Sequence, residues 1–300
     1  MTERTSNCMA NGFRFVVVAD SKGKDEEGIN KKVLYKIMKL IKALSKKPEF
    51  IVILGDSVAG SPDLNILKSQ LTNFKEIISA DFSHNKIIPV IGNHEIGKGC
   101  DNSDPEKIFA NIYKDLEPDG KLCDYNNTVY YKDFFNARII VLNCYHYTNI
   151  GRISDEQLLW LKEVSSEPFR HKILLIHYPA YPTGAHFQTS LDRYPDERDK
   201  LWSIIDENGI DIVFSGHEHN YSRRLIDHTF STEKYKFKRK IYQIIAGGGG
   251  EKLKDKYKDK KGVIIKPKAV HHFLIVDVDS NSMNIQAISI DGKTIDNFTI

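Results

Sequence analysis

At 300 residues, 41% of them hydrophobic, the chain can bury a sizeable core in one large domain or at most two. No apolar run reaches the roughly 18 residues of a membrane span, so neither a span nor a membrane partner is expected. The net charge of +3 argues against a uniformly basic nucleic-acid binder, yet Glu233 to Lys268 holds thirteen Lys or Arg against four Asp or Glu, a local +9 that leaves −6 elsewhere.

Met1 to Gly12 is polar and lacks the apolar centre of a signal peptide, so it reads as a tail ahead of one domain over 13–300. The matching expectation is a cytoplasmic location, although a trimmed secreted chain would look the same. Cys8, Cys100, Cys123 and Cys144 show no C-x-x-C spacing and read as reduced thiols, with a Cys100–Cys123 bridge as the alternative.

Phe13 to Ala19 is an apolar run, interrupted by Arg14 alone, suited to a central strand, and it ends at Asp20. Val33, Ile37, Leu40, Ile41 and Leu44 then mark one helical face. Phe50 to Leu54 predicts a second buried strand ending at Gly55-Asp56, and Ser61-Pro62 predicts the start of a helix reaching about Ile78. Lys86 to Ile91 predicts a third strand ending at Gly92-Asn93. This alternation implies parallel strands joined by right-handed crossovers.

A helix near Pro105 to Leu116 follows, then paired strands at Thr128 to Tyr131 and Arg138 to Leu142. Ser154-Asp155-Glu156-Gln157 has the spacing of a capping box. Lys172 to Ile176 predicts a strand ending at His177, and Ile210 to Ser215 one ending at Gly216-His217-Glu218-His219. A helix near Glu197 to Asn208 lies between them. Beyond Tyr221 the texture is all-β, with a strand from Lys240 to Ile245 before Gly247 to Gly250 and three antiparallel strands from His272 to Ile300.

Five strand ends thus offer oxygen or imidazole donors on the edge where open α/β sheets gather ligands. Taken singly, each residue also suits a structural role: Asp20 and Asp56 as loop caps, Asn93 as a turn residue, His177 as a core histidine. Together they point to a two-metal hydrolytic site. Asp56 is the candidate bridge, with Asp20 and His219 on one metal and Asn93, His177 and His217 on the other. Mixed oxygen and nitrogen donors suit Mn, Fe, Zn or Co. Such ions would acidify a bridging water for attack on phosphorus. His94 cannot easily share a metal with its neighbour Asn93, and is cast as proton donor or clamp on the leaving oxygen, with Glu95 as its orienting partner.

The ordered set Asp20, Gly55-Asp56, Gly92-Asn93-His94-Glu95, His177 and Gly216-His217-Glu218-His219 resembles the calcineurin-like metallophosphoesterase superfamily, and within it the purple-acid-phosphatase-like branch. The resemblance covers about Phe13 to Ile300. It implies a four-layer α/β/β/α sandwich of two mixed sheets flanked by helices, and hydrolysis of phosphomonoesters or phosphodiesters with two metals. Two positions depart from the pattern. Where most members carry the histidine of Asp-x-His, this chain has Lys22. Where purple acid phosphatases supply a tyrosine three residues after the second-motif Asp, it has Ala59. The resemblance therefore implies a first metal held weakly by Asp20, Asp56, His219 and water, and no tyrosinate–iron colour.

Lys22 is a candidate to bind a substrate phosphate oxygen, or else points to solvent. Tyr221 is a candidate to flank the substrate, or else packs beneath the turn. His146, His186, Arg193 and Tyr181 are softer candidates on nearby loops. The expected partner is a small phosphorylated substrate. Two other readings stay open: a catalytically impaired phosphate- or nucleotide-binding regulatory protein, motivated by Lys22 and Ala59, and a nuclease acting on nucleic-acid ends, motivated by the basic stretch.

Overall fold

In the computed structural model, which describes residues 12–97 and 102–300, strand β1 (Phe13–Val18) shows how the layers arise. Its side chains alternate between two cores: Phe13, Phe15 and Val17 lie between two sheets, and Val16 and Val18 lie under helices. Both faces are buried, so every residue of the run is apolar except Arg14, which pairs with Asp277 at 2.7 Å. Helix α1 (Lys31–Lys42), β2 (Phe50–Leu54), α2 (Leu64–Ser79) and β3 (Ile87–Val90) continue the pattern. Then come α3 (Asn93–Ile96), α4 (Asp104–Ile112), β4 (Gly120–Lys121), β5 (Tyr130–Phe134), β6 (Ala137–Val141), α5 (Asp155–Ser166) and β7 (His171–Leu175). The chain closes with α6 (Pro195–Glu207), β8 (Ile212–Ser215), β9 (Tyr221–Ile226), β10 (Ile241–Ala246), β11 (Val263–Lys268), β12 (His272–Val278), β13 (Met283–Ser289) and β14 (Thr294–Thr299).

Among the described residues these strands form a six-stranded sheet, β14-β13-β12-β1-β2-β3, and an eight-stranded sheet, β11-β9-β10-β8-β7-β6-β5-β4. Both are mixed. In the first, β1, β2 and β3 are parallel and β12 runs antiparallel beside β1. In the second, β6, β7, β8 and β10 are parallel. Phe15, Phe50, Val52, Ile173, Ile212 and Phe214 pack between the sheets; α1 and α2 cover one outer face, and α5 and α6 the other. This is the expected four-layer sandwich. No helix among the described residues is long and apolar enough to cross a membrane.

Two local expectations need correction. Helix α2 is capped by Asp63 rather than Ser61, because the Asp63 carboxylate accepts from the amides of Asn65 (2.8 Å) and Ile66 (3.3 Å). Ser154 does cap α5, accepting from Gln157 N at 3.2 Å, but no reciprocal box forms. The Gln157 side chain is instead spent on both backbone groups of Asn143. The Cys100 half of the Cys100–Cys123 alternative lies outside the described residues.

Candidate metal centre

The C-terminal ends of β1, β2, β3, β7 and β8 meet at one edge of the sandwich, and each delivers a polar residue just past the strand. Asp20, Asp56 and His217 all sit in the left-handed backbone region, with φ of +58°, +51° and +68°. Aspartate and histidine tolerate that region better than most side chains, and such strain gathers at functional sites. Gly55 (φ +85°) makes the turn before Asp56 and leaves room for the neighbouring ring: a Cβ there would lie 2.3 Å from His177 Nδ1.

Asp56 is fully buried and its two oxygens face different neighbours. Oδ1 accepts from the His94 amide at 3.0 Å and lies 3.3 Å from His177 Nε2. Donor atoms of Asp56, His177 and His217 all lie within 4.8 Å of one another. His177 Nδ1 donates to the Leu54 carbonyl at 2.8 Å, which leaves Nε2 as the free ring nitrogen. His177 Nε2, His217 Nε2 and Asn93 Oδ1 are buried without a hydrogen-bond partner among the described residues. Buried polar atoms are rarely left so, and the two ring nitrogens beside the Asp56 carboxylate form a candidate donor set for a cation. Asp56, His177 and His217 thus make a candidate metal-binding cluster, and Asn93 Oδ1 is a further unpartnered acceptor past the end of β3. Burial works to lower the His177 pKa, but the charge of Asp56, with Oδ1 3.3 Å from Nε2, pushes it up to about 9.

On the other side, Lys22 reaches Asp56 Oδ2 at 2.6 Å, His219 Nε2 at 3.3 Å and Asp20 Oδ1 at 3.7 Å. Its side chain is only 4% exposed, so the solvent-facing alternative is excluded. Burial opposes the ammonium, yet the Asp56 and Asp20 charges hold its pKa above the ordinary lysine value. Burial raises Asp56 too, but Lys22 and His177 outweigh it and keep that carboxyl well below the usual range. Asp20 ends up raised to about 6, because its burial exceeds the help from His177 and Lys22. Burial and then the Lys22 charge press His219 down to about 2, so its ring is neutral. Its Nδ1 faces the Lys252 carbonyl at 3.1 Å, which leaves Nε2 to accept from the ammonium.

His94 stands at the open side, with about a third of its side chain exposed. Its Nδ1 is fixed by the Ala59 carbonyl at 2.7 Å, while Nε2 lies 3.9 Å from Asp56 Oδ2. It lines a cavity of about 270 Å³ with Ala59, Gly60, Ser61, Pro62, Asn93 and Gly97. Glu95 does not orient it. The fully buried Glu95 carboxylate accepts from the amides of Asp56 (3.0 Å), Ser57 (2.6 Å) and Gly92 (2.8 Å), bracing the Asp56 turn instead. Glu218 plays the same part opposite, accepting from the amides of Thr183 (2.6 Å), Gly184 (2.8 Å) and His186 (3.0 Å). This stacks the His186 ring 4.0 Å from that of His217, whose ring also packs 4.1 Å from Tyr178.

Tyr221 is not brought to the site. It points between the sheets, fully buried, and donates its hydroxyl to Asp296 at 2.7 Å; the period-two geometry of β9 turns it from the rim. His146 joins a buried network with Glu106, at 3.0 Å from both carboxylate oxygens. Tyr181 packs on Trp202 and Phe230, and Arg193 lies over Tyr194. The basic stretch splits. Ile241–Ala246 is the buried strand β10, whereas Lys254 reaches the rim, with Nζ 2.9 Å from His186 Nε2. Lys254 was hidden in the sequence among alternating lysines.

Residues 13–221 match the family described as Calcineurin-like phosphoesterase. The chain belongs to this family. A zebrafish (Danio rerio) relative named serine/threonine-protein phosphatase CPPED1 is 24% identical over 215 residues, covering 66% of this chain and 62% of the relative. The chain thus spans about three fifths of that protein's length. Among solved structures, yellow lupin (Lupinus luteus) purple acid phosphatase PPD1 superposes with a TM-score of 0.73 at 19% identity, over 97% of this chain and 54% of that one. GAP50, described as the anchor in the inner membrane complex of Plasmodium, gives 0.63 at 15% identity over 96% of this chain and 88% of its own. These likenesses establish the shared fold.

Proposed function

We propose that this protein is a metal-dependent hydrolase of phosphoester bonds. The observation that carries the reading is the convergence of His177 Nε2 and His217 Nε2, both buried and unpartnered, on the Asp56 carboxylate. The fold alone does not decide, since GAP50 shares it and is described as an anchor. Asp56, Asn93, His177 and His217 would hold the metal. When bound, the ion supplies Lewis acidity for a phosphoryl oxygen and acidifies water.

The chain's own groups do the rest. Leu54 fixes the His177 ring through Nδ1. His94 lines the cavity with Nδ1 held by the Ala59 carbonyl, and when its ring carries both protons it gives the Nε2 proton to the leaving oxygen and is left neutral. Lys254 and His186 place positive charge and a ring nitrogen at the rim, where an anionic phosphate arrives. The name of the zebrafish relative makes a serine or threonine phosphomonoester the first substrate class to try.

The test is turnover of a chromogenic phosphomonoester and phosphodiester, before and after chelation, with Asp56→Asn and His94→Ala as controls. Metal-dependent turnover of either ester that both substitutions abolish is the expected result. Absence of turnover across metals and esters would leave the impaired, phosphate-binding reading that Lys22 and Ala59 first suggested.

A further inference from the structure

Resting on that reading, we infer that this chain works with one metal ion rather than two, and that the Lys22 ammonium is the resident cation of the Asp20–Asp56–His219 set. All three acceptors already surround one nitrogen: Asp56 Oδ2 at 2.6 Å, His219 Nε2 at 3.3 Å and Asp20 Oδ1 at 3.7 Å. A metal bound by the same atoms would stand about 2 Å from each of them. No room then remains for the ammonium, and two cations would compete for one set of lone pairs.

The head group is delivered by a fixed backbone. Lys22 N donates to the Asp56 carbonyl at 3.2 Å, and Lys22 pairs with Ile29 in an isolated β-bridge. Charge gives the same answer. The carboxylates that face the ammonium are Asp20 and Asp56, both fully inaccessible; the buried Glu95 and Glu218 are spent on backbone amides. One divalent ion plus one ammonium already exceeds the two negative charges of Asp20 and Asp56, and neither is left to offset a second divalent ion beside the ammonium. The donor inventory agrees too, since neither Lys22 nor Ala59 offers a lone pair from its side chain. An ammonium has three hydrogens; two are spent on Asp56 and His219. The third has only Asp20 beyond hydrogen-bond reach, and is left to hold Asp20 electrostatically or to meet a phosphate oxygen.

The experiment counts ions without using turnover. The full chain is stripped with chelator and reloaded with excess Mn(II). After desalting, manganese per chain is measured by mass spectrometry and spin coupling by electron paramagnetic resonance. The expected result is one ion per chain with an uncoupled six-line spectrum for the wild type. Lys22→His and Lys22→Met should rise to two, with an exchange-coupled signal in Lys22→His. Two coupled ions in the wild type would overturn the inference, as would one ion in the wild type and in both folded variants. A wild type that binds no manganese overturns it as well. The wild-type count decides even where a variant fails to fold. Metal-dependent hydrolysis with two coupled ions would refute this inference while leaving the proposed function standing.

Discussion

The two oxygens of Asp56 look out on two differently built half-sites. Beside Oδ1, imidazole nitrogens converge: His177 Nε2 at 3.3 Å, with His217 Nε2 also unpartnered in the same cluster. Beside Oδ2, a positive charge is already in place at 2.6 Å, supplied by the chain itself. The first half is built of potential ligand atoms, and the second already holds a lysine ammonium. The same kinds of ligand residue therefore have different chemistry according to what one neighbour, Lys22, contributes.

The largest effect should come from Asp56, the residue common to both halves. Asp56→Asn should lower metal affinity by more than about 100-fold, since losing even an outer partner of a ligand costs 10–100-fold. It also deprives the buried ammonium of its closest counter-charge, and breaking such a pair costs about 3–5 kcal/mol. Metal titration and urea unfolding on one preparation check both. Retention of tight metal binding would break the comparison at its centre. Next in size is the contrast between the two histidines of one turn. His217→Ala should weaken metal binding by about 100-fold, whereas His219→Ala, which removes only an acceptor of Lys22, should change it by less than about tenfold. Equal losses from the two substitutions would mean that both halves bind metal.

Lys22→Met sharpens the contrast from the other side. In chelator, the uncompensated Asp20 and Asp56 charges should lower unfolding stability by about 3 kcal/mol. Saturating Mn(II) should restore more stability to this variant than to the wild type, because binding to the native state adds stability by mass action. Equal stabilisation of the two proteins by Mn(II) would show that Lys22 is not what fills the second half.

Much of this was readable from strand ends. Apolar runs ending at Asp20, Asp56, Asn93, His177 and His217 gave both the sheet edge and the residues on it, because a strand buried on both faces leaves its first polar residue at the rim. What sequence could not supply were contacts made across the fold. Glu95 reads as a neighbour of His94, yet its carboxylate serves the amides of Asp56 and Ser57, nearly forty positions away. Glu218 sits between two candidate ligands but braces Thr183 to His186. Tyr221 follows the turn closely, and one residue of strand phase decides between flanking the substrate and packing inside; it packs between the sheets. Lys22 was visible as a departure from a pattern; that its head group lies among the ligands depends on the backbone that aims it.

The smallest effect concerns a histidine outside the site. His272 Nε2 is also buried and unpartnered, so an orphaned ring nitrogen is not by itself a ligand. What differs is the company. His177 faces a carboxylate and is pushed up to about 9, whereas His272 packs edge-on to Tyr221 and burial pushes it down to about 4. A folded pKa below the unfolded 6.5 means that the unfolded chain binds the proton first on acidification. The neutral ring's contribution is complete above about 6.5 and is lost as pH falls toward about 4. Between pH 7.5 and 5 this group alone should remove about 2 kcal/mol. Urea midpoints for wild type and His272→Gln should therefore converge by that amount as pH falls, if the substitution is destabilising at pH 7.5. Parallel profiles would mean that His272 is solvated enough to titrate normally, and burial without a counter-charge would no longer separate it from the metal-site histidines.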